Sequence, residues 1–228
     1  MKLISLVLAL LLALMPLCAL CETLTLYSDP YAMESTYRRL IDGWAKSLEA
    51  AEADVVFFGD SLTLGGAWEE YFPDHMVINL GVVGDVLYGM QLRTALVRKI
   101  MPSKCFVLGG VNNLSYREPV DQALGFYAAM LDELSAISDE SGMTVYVQSV
   151  LPVNENICGY GIKNADVCAL NDGIRQLASE RGMEYIDVYS MMHDETGNLL
   201  PDYTVDGLHL SESGYITWCE VLQPYLDE

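Results

Sequence analysis

Three residues in this sequence have the types needed for nucleophilic catalysis. Ser61 closes the run VVFFGDS, and Asp206 and His209 stand three residues apart in DGLH near the end of the chain. A serine hydroxyl becomes an effective nucleophile when a base removes its proton, and an imidazole can do this near neutral pH. A carboxylate beside the imidazole fixes its tautomer and stabilises its cation. We therefore predict that Ser61 is a nucleophile, His209 its base and Asp206 the partner of the base.

Donors for the negative oxygen of a tetrahedral intermediate are also present. Gly84 is the second-last residue of the segment NLGVVGD, and Asn112 lies in GGVNN. The backbone N–H groups of Ser61 and Gly84 and the side-chain amide of Asn112 can supply three donors. Glycine at position 84 lets the backbone approach a substrate without a Cβ atom in the way. We predict that Ser61, Gly84 and Asn112 form an oxyanion hole.

Each of these short motifs has an ordinary alternative explanation. Gly-Asp-Ser and Asp-Gly sequences are common in turns that have no catalytic role, and GGVNN can be a plain loop. The motifs become specific in combination, because each one falls at the end of a predicted strand or at the start of a predicted helix.

Five short apolar runs predict the strands that position these residues. The runs are followed by turn residues and separated by helix-length amphipathic segments; they cover residues 55–58, 76–80, 105–108, 144–150 and 185–188. Helices are predicted at residues 36–53, 86–101, 119–142, 164–182 and 211–226. This alternation is typical of a parallel sheet covered on both faces. We predict an α/β fold, a three-layer α/β/α sandwich with a five-stranded parallel sheet, whose ligands bind beyond the carboxyl ends of the strands.

Composition limits the classes of function. The 228 residues are 52% apolar and 19% charged, which fits a single globular domain of ordinary size. The formal net charge is −20, with no basic stripe, so nucleic acid and anionic membrane surfaces are not expected partners. No spacing of cysteine or histidine indicates a metal site, and the predicted chemistry requires no metal or cofactor.

The first 21 residues, MKLISLVLALLLALMPLCALC, have the pattern of a secretory signal peptide. A single positive charge at Lys2 precedes an apolar run over residues 3–17, which is shorter than the ~20 residues of a membrane-spanning helix. Cleavage after Cys21 places Ala19 at −3, and cleavage after Ala19 is the alternative. We predict a signal peptide at residues 1–21, one domain at residues 22–228, and a secreted or cell-envelope location.

Cysteines leave two questions open. Cys18 and Cys21 raise the alternative of a lipoprotein signal, which is less favoured because leucines precede both cysteines where a small residue is expected. Cys158 and Cys168 flank a short loop that a disulfide can close in an exported protein. Cys105 and Cys219 lie in apolar patterns typical of small buried side chains.

Four blocks of the sequence resemble the motif blocks of the GDSL, or SGNH, hydrolases. They are FFGDSLTLG, NLGVVGD, GGVNN and DGLHLSESGY, in the order of the family, and the resemblance covers essentially all of residues 22–228. The stretch 185–226 is most similar to the platelet-activating-factor-acetylhydrolase-like and carbohydrate-esterase branches. Asn113 stands where many members carry aspartate.

This resemblance implies a flavodoxin-like fold and a division of roles. Ser61 would be the nucleophile, His209 the base, Asp206 its partner, and Ser61, Gly84 and Asn112 the oxyanion hole. We expect a secreted esterase that hydrolyses short acyl esters, acetyl esters above all, on a small molecule or a carbohydrate. Two alternatives use the same residues differently: an acyltransferase that passes the acyl group to a sugar hydroxyl, and a non-catalytic carbohydrate-binding module.

Overall fold

Strands and helices alternate along the chain as predicted. The computed structural model describes residues 30–48 and 53–227. The strands are β1 Val55–Gly59, β2 Val77–Gly81, β3 Lys104–Leu108, β4 Thr144–Gln148 and β5 Glu184–Ile186. The helices are α1 Pro30–Ser47, α2 Ser61–Leu64, α3 Trp68–Tyr71, α4 Leu87–Ile100, α5 Val111–Ser115, α6 Val120–Ser141, α7 Asn164–Glu180 and α8 Glu212–Asp227. Two 3-10 turns, Tyr189–Met191 and Pro201–Tyr203, precede α8.

The five strands form one parallel sheet in the order β2-β1-β3-β4-β5, which confirms the predicted α/β fold. The chain leaves β1 toward β2 on one side and then crosses back to β3 on the other. The turns that follow β1 and β3 therefore lie side by side at the point where the direction of winding reverses. Open parallel sheets bind their ligands at this point.

Successive residues of β1 point to the two helical layers. The ring of Phe57 stacks on Trp68 of α3 at 4.1 Å, and Trp68 meets Trp218 of α8 edge-on at 5.0 Å. The ring of Phe58 faces the opposite layer, where the guanidinium of Arg93 in α4 lies 4.8 Å above it. Because side chains of a strand alternate between its faces, α3 and α8 cover one face and α4 covers the other. Helices α1 and α6 pack on α4, and α7 packs on α6.

Hydrogen bonds just beyond β4 and β5 explain why both strands end earlier than predicted. Strand β4 ends at Gln148 rather than at 150, because Asn171 bonds both the N–H and the C=O of Val150, at 2.7 and 2.9 Å. Strand β5 ends at Ile186 rather than at 188, because the N–H of Val188 turns back to the carbonyl of Ile186. The helices α2, α3 and α5 were not predicted, because they are too short to show a repeating pattern of apolar residues.

Parts of the predicted organisation fall outside the described residues. The predicted signal peptide at 1–21 is among them, so it stays a prediction, as does the extent of the domain that follows. None of the described helices has the length and apolar character that crossing a membrane requires. All four described cysteines are free thiols: Cys105 and Cys219 are buried as predicted, and Cys168 contacts the hydroxyl of Tyr189 rather than Cys158.

Candidate active site

Ser61 is held at the carboxyl end of β1 by a tight turn into helix α2. The Asp60 carboxylate accepts the N–H of Leu62 at 2.9 Å and so caps this helix, which makes Ser61 its first residue. The turn has no room for a side chain at Gly59: an added Cβ would lie 2.1 Å from Thr63 Oγ1 and 2.5 Å from the carbonyl oxygen of Leu108. The serine hydroxyl thus stands at a fixed point on the sheet edge.

The structure brings Ser61, His209 and Asp206 together in one chain of hydrogen bonds. Ser61 Oγ lies 3.2 Å from His209 Nε2, and His209 Nδ1 lies 2.7 Å from Asp206 Oδ2. The other carboxylate oxygen of Asp206 accepts the backbone N–H groups of Leu208 and His209, at 2.9 and 2.7 Å. This arrangement can remove a proton from the serine and stabilise the resulting imidazolium.

The carboxylate of Asp206 is held in its ionised form. Partial burial acts to raise its pKa, but the hydrogen bonds from the His209 ring and from the backbone amides of His209 and Leu208 outweigh it and lower the pKa below its ordinary value. An ionised carboxylate at this position can balance the charge that the imidazole gains during reaction.

Gly84 and Asn112 lie at the ends of the two strands that neighbour β1. Gly84 adopts φ +69° in the turn after β2, where the N–H of Asp85 reaches back to the carbonyl of Val82 at 3.2 Å. Asn112 lies in the first turn of α5, after β3, and one of its amide hydrogens bonds the carbonyl oxygen of Asp85 at 2.9 Å. Its second amide hydrogen remains to serve as a donor. The predicted donors therefore come from three adjacent strand ends.

Arg93 and Asp85 form a buried network directly behind these predicted donors. The sequence motifs did not predict this network. Arg93 is fully buried in α4. Its Nε and Nη2 atoms donate to Asp85 Oδ2 at 2.8 and 2.5 Å, while its Nη1 and Nη2 atoms donate to the carbonyls of Leu80 and Gly59 at 2.8 and 3.0 Å. One guanidinium thus joins the ends of β1 and β2 to the turn that carries Gly84. An arginine among the apolar positions of α4 was the sequence signal for it.

Asp60 is a second buried carboxyl beside the serine. Its Oδ2 atom makes no hydrogen bond with any described residue. Burial is the main cause that raises its pKa to about 7, assisted by the nearby Asp85 and opposed by the Leu62 N–H and by the charges of His209 and Arg93. This acid therefore changes its charge close to neutral pH.

Asn113, the departure from the family pattern, has a structural role. It is buried, its side-chain oxygen accepts the N–H of Leu87 at 3.1 Å, and its amide nitrogen donates to Glu118. It therefore joins the start of α4 to the loop that leads into α6.

The loop between β4 and α7 forms part of the rim of the site. The ring of Tyr160 meets the imidazole of His209 edge-on at 6.4 Å and is 46% exposed. Gly207, next to Asp206, packs so closely on this loop that an added Cβ would lie 2.6 Å from the backbone nitrogen of Cys158. The loop therefore lies directly beside the imidazole of His209.

Comparisons with known proteins identify the family of the chain. A model of the GDSL-like lipase/acylhydrolase family matches residues 57–215, which is more than half of the chain. No curated protein matches the chain.

Three solved structures with the same fold each share less than a quarter of their residues with this chain. One is a Streptococcus pneumoniae protein described as a platelet activating factor: 24% identity, TM-score 0.69, covering 92% of this chain and 98% of that one. A GDSL-like lipase from Bacteroides thetaiotaomicron has 23% identity and TM-score 0.69, covering 85% and 98%. The acetyl xylan esterase AlAXEase has 20% identity and TM-score 0.63, covering 75% and 98%. The family match shows that this chain belongs to the GDSL-like lipase/acylhydrolase family and is an enzyme that hydrolyses esters.

Proposed function

We propose that this enzyme is a serine esterase in which Ser61 carries the acyl group. Ser61 Oγ attacks the ester carbonyl carbon while its proton passes to His209 Nε2. The tetrahedral intermediate collapses, the carbon–oxygen bond to the alcohol breaks, and the leaving alcohol takes the proton from His209. Water then attacks the acyl-enzyme with His209 again as base, which releases the carboxylic acid and restores Ser61. The observation that carries this proposal is the unbroken chain of hydrogen bonds from Ser61 through His209 to Asp206.

Three donors would bind the oxyanion. The N–H groups of Ser61 and Gly84 and the free amide hydrogen of Asn112 would bind the oxygen that becomes negative in each tetrahedral intermediate. Donors that are already fixed before the reaction need no rearrangement when the charge develops, which is why such groups lower the barrier. Support comes from their placement at the ends of β1, β2 and β3, which are neighbours in the sheet.

The proposed substrates are short acyl esters, acetyl esters in particular, with a carbohydrate as the candidate alcohol. The side chains of His209 and Asp206 are 37% and 40% exposed, so the reacting groups lie open to solvent. An open site of this kind suits a small acyl group on a large polar alcohol. The similarity in fold to an acetyl xylan esterase supports the same choice.

Export from the cytoplasm belongs to the same proposal. It rests on the charge and apolar pattern of residues 1–21 alone. A carbohydrate polymer outside the cell would be within reach of an enzyme exported in this way.

Hydrolysis of p-nitrophenyl acetate, butyrate and octanoate tests the proposal. We expect rates that fall steeply from acetate to octanoate and that drop at least about a thousandfold in Ser61→Ala, since the nucleophile is lost. Ser213→Ala is the matched control, because this exposed serine lies in the first turn of α8 close to the site in sequence. Full activity of Ser61→Ala would show that the nucleophile is another residue. Equal rates on all three esters would contradict the short-acyl preference.

A further inference from the structure

We infer that Tyr37, in the N-terminal helix α1, is a positioning residue for the oxyanion hole and acts through Asp85. This inference rests on the proposed function, because it assigns Gly84 and Asn112 as donors. Tyr37 lies outside residues 57–215, so the family match does not include it.

The first step is the contact between Tyr37 and Asp85. The hydroxyl of Tyr37 donates to Asp85 Oδ1, while Arg93 occupies Oδ2 from the other side. Both ends of this buried carboxylate are therefore held, by α1 and by α4. Burial, with Asp85 close by, raises the pKa of Tyr37 well above its ordinary value, so the hydroxyl keeps its proton and stays a donor.

The second step leads from Asp85 to the oxyanion donors. The N–H of Asp85 closes the turn around Gly84 by bonding the carbonyl of Val82, and the carbonyl of Asp85 accepts the amide of Asn112 at 2.9 Å. Asp85 therefore fixes the direction of the Gly84 N–H and of the Asn112 amide together. Without the Tyr37 hydroxyl, the Asp85 carboxylate would keep Arg93 and the Val86 N–H as partners but lose its link to α1, and the turn that carries both donors would be held less firmly.

The third observation is that α4 leaves space for this contact. Gly89 faces the point where Tyr37 meets Asp85: an added Cβ would lie 2.2 Å from the Tyr37 hydroxyl oxygen and 2.3 Å from Asp85 Oδ1. The ring of Tyr37 also packs on Val86, in the turn that follows Asp85. A methyl group at position 89 should push both Tyr37 and Asp85 out of this contact, so Gly89→Ala breaks the same contact from the opposite side, and an unchanged kcat in this variant would speak against the inference.

Two variants with matched controls test the inference. Tyr37→Phe removes the hydroxyl and keeps the ring, and Gly89→Ala displaces the ring. Tyr127→Phe is the control for the first, because the buried hydroxyl of Tyr127 bonds to no described residue. Gly125→Ala is the control for the second, because a methyl group at this helical glycine meets open space among the described residues. Each protein is assayed with p-nitrophenyl acetate, and its active sites are counted by complete reaction with a fluorophosphonate.

Expected results separate positioning from folding. For Tyr37→Phe and for Gly89→Ala we expect kcat per labelled site to fall roughly tenfold, below the effect of deleting an oxyanion donor outright, while KM stays within about twofold. Inhibition by phenylboronate, which forms a tetrahedral adduct on Ser61, should weaken by the same factor. The double variant should lose no more than the worse single variant, since both break one contact. The two controls should keep kcat, KM and inhibition unchanged.

Unchanged catalysis in these variants would overturn the inference. Wild-type kcat per site and wild-type phenylboronate inhibition in Tyr37→Phe would overturn the inference, even if its melting temperature fell. If Tyr37→Phe does not fold, Gly89→Ala decides by the same criteria. Ser61→Ala distinguishes the two proposals: loss of activity in Ser61→Ala with no effect of Tyr37→Phe overturns only the role of Tyr37. A wild-type protein that neither hydrolyses the ester nor reacts with the fluorophosphonate overturns both.

Discussion

Asp60 Oδ1 accepts the backbone N–H of Leu62 across Ser61, the proposed nucleophile, and the second carboxyl oxygen of Asp60 is buried without a hydrogen bond from the described residues. The same carboxyl therefore shapes the turn around Ser61 and has a pKa that burial raises to about 7. We expect the charge state of Asp60 to affect the stability of the protein more clearly than its catalytic rate.

Asp60→Asn should change how stability depends on pH. The pKa of Asp60 is about 7 in the folded protein and near 3.8 in the unfolded chain, so the folded state binds more protons between these values. The contribution of Asp60 to the free energy of unfolding therefore decreases as pH rises from about 4 to about 7 and levels off above that. Asparagine keeps the cap and removes the titration.

Urea unfolding at pH 5 and pH 8 measures this effect. Relative to wild type, Asp60→Asn should be more stable at pH 8 than at pH 5, and the exposed Asp172→Asn serves as a control. An equal difference at both pH values would show that Asp60 does not titrate in this range.

Asp206→Asn should impair catalysis far more than folding. The amide cannot balance the charge of the imidazolium, and its NH2 group can favour the wrong tautomer of His209. A comparable substitution in other serine hydrolases lowers kcat by about 10⁴, so we expect a loss on the order of 10³ or more. The measurement is kcat/KM on p-nitrophenyl acetate, with Asp202→Asn in the neighbouring 3-10 turn as the control. A loss below tenfold would remove Asp206 from the proposed machinery.

Asn113→Asp should destabilise the protein at neutral pH, although aspartate is common at this position in the family. The new carboxylate would face Glu118, which now accepts a hydrogen bond from the Asn113 amide, and two buried like charges repel each other. We expect a loss of about 1–3 kcal/mol at pH 8.

Protonation and a second substitution should each relieve this loss. Repulsion favours the protonated form of the introduced carboxyl in the folded state, so stability should recover as pH falls toward 5. Unfolding of Asn113→Asp with and without Glu118→Gln, at both pH values, checks the origin of the effect. If Glu118→Gln brings no recovery, the loss does not come from Glu118.

Gly59→Ala should be one of the most damaging small substitutions in the chain. The added methyl group would meet the backbone carbonyl of Leu108 in the adjacent strand as well as the side chain of Thr63, and the backbone cannot yield without opening the sheet. We expect a loss above about 3 kcal/mol, in the range of severe overpacking. Thermal unfolding measures it, with Gly43→Ala in α1 as a control that is neutral or stabilising by up to about 1 kcal/mol. A melting temperature like that of wild type would contradict the steric argument.

Local patterns were sufficient to predict the sheet, and they pointed to residues that the structure brings together at its edge. The apolar runs before Ser61 and Asn112 are strands because both faces of a parallel strand are buried, and that alone places both residues at one sheet edge. His209 and Asp206 are close in sequence, so their pairing needed no knowledge of the rest of the fold.

Contacts between distant segments could not be predicted in this way. Tyr37 and Asp85 are 48 residues apart, and nothing in the pattern of α1 distinguishes a tyrosine that meets a carboxylate from one that fills the core. The role of Arg93 was missed for the same reason, since it depends on the carbonyls of two strands. The end of β4 depends on side-chain bonds from Asn171 and the end of β5 on a backbone bond from Val188, and no periodicity reveals either.

The two halves of the proposed reaction are supported from opposite faces of the sheet. The proposed oxyanion donors adjoin Asp85, which α4 and α1 contact through Arg93 and Tyr37. His209 instead precedes α8, whose Tyr215 hydroxyl bonds the carbonyl of Leu62 at 2.8 Å and whose Trp218 packs on Trp68. If α8 detached locally, the base would leave while the donors stayed in place. The protein would then still bind an anion where the tetrahedral intermediate sits, yet turn over no ester. Binding and turnover can therefore fail separately in this enzyme, and variants of the two layers should be distinguishable by which one they lose.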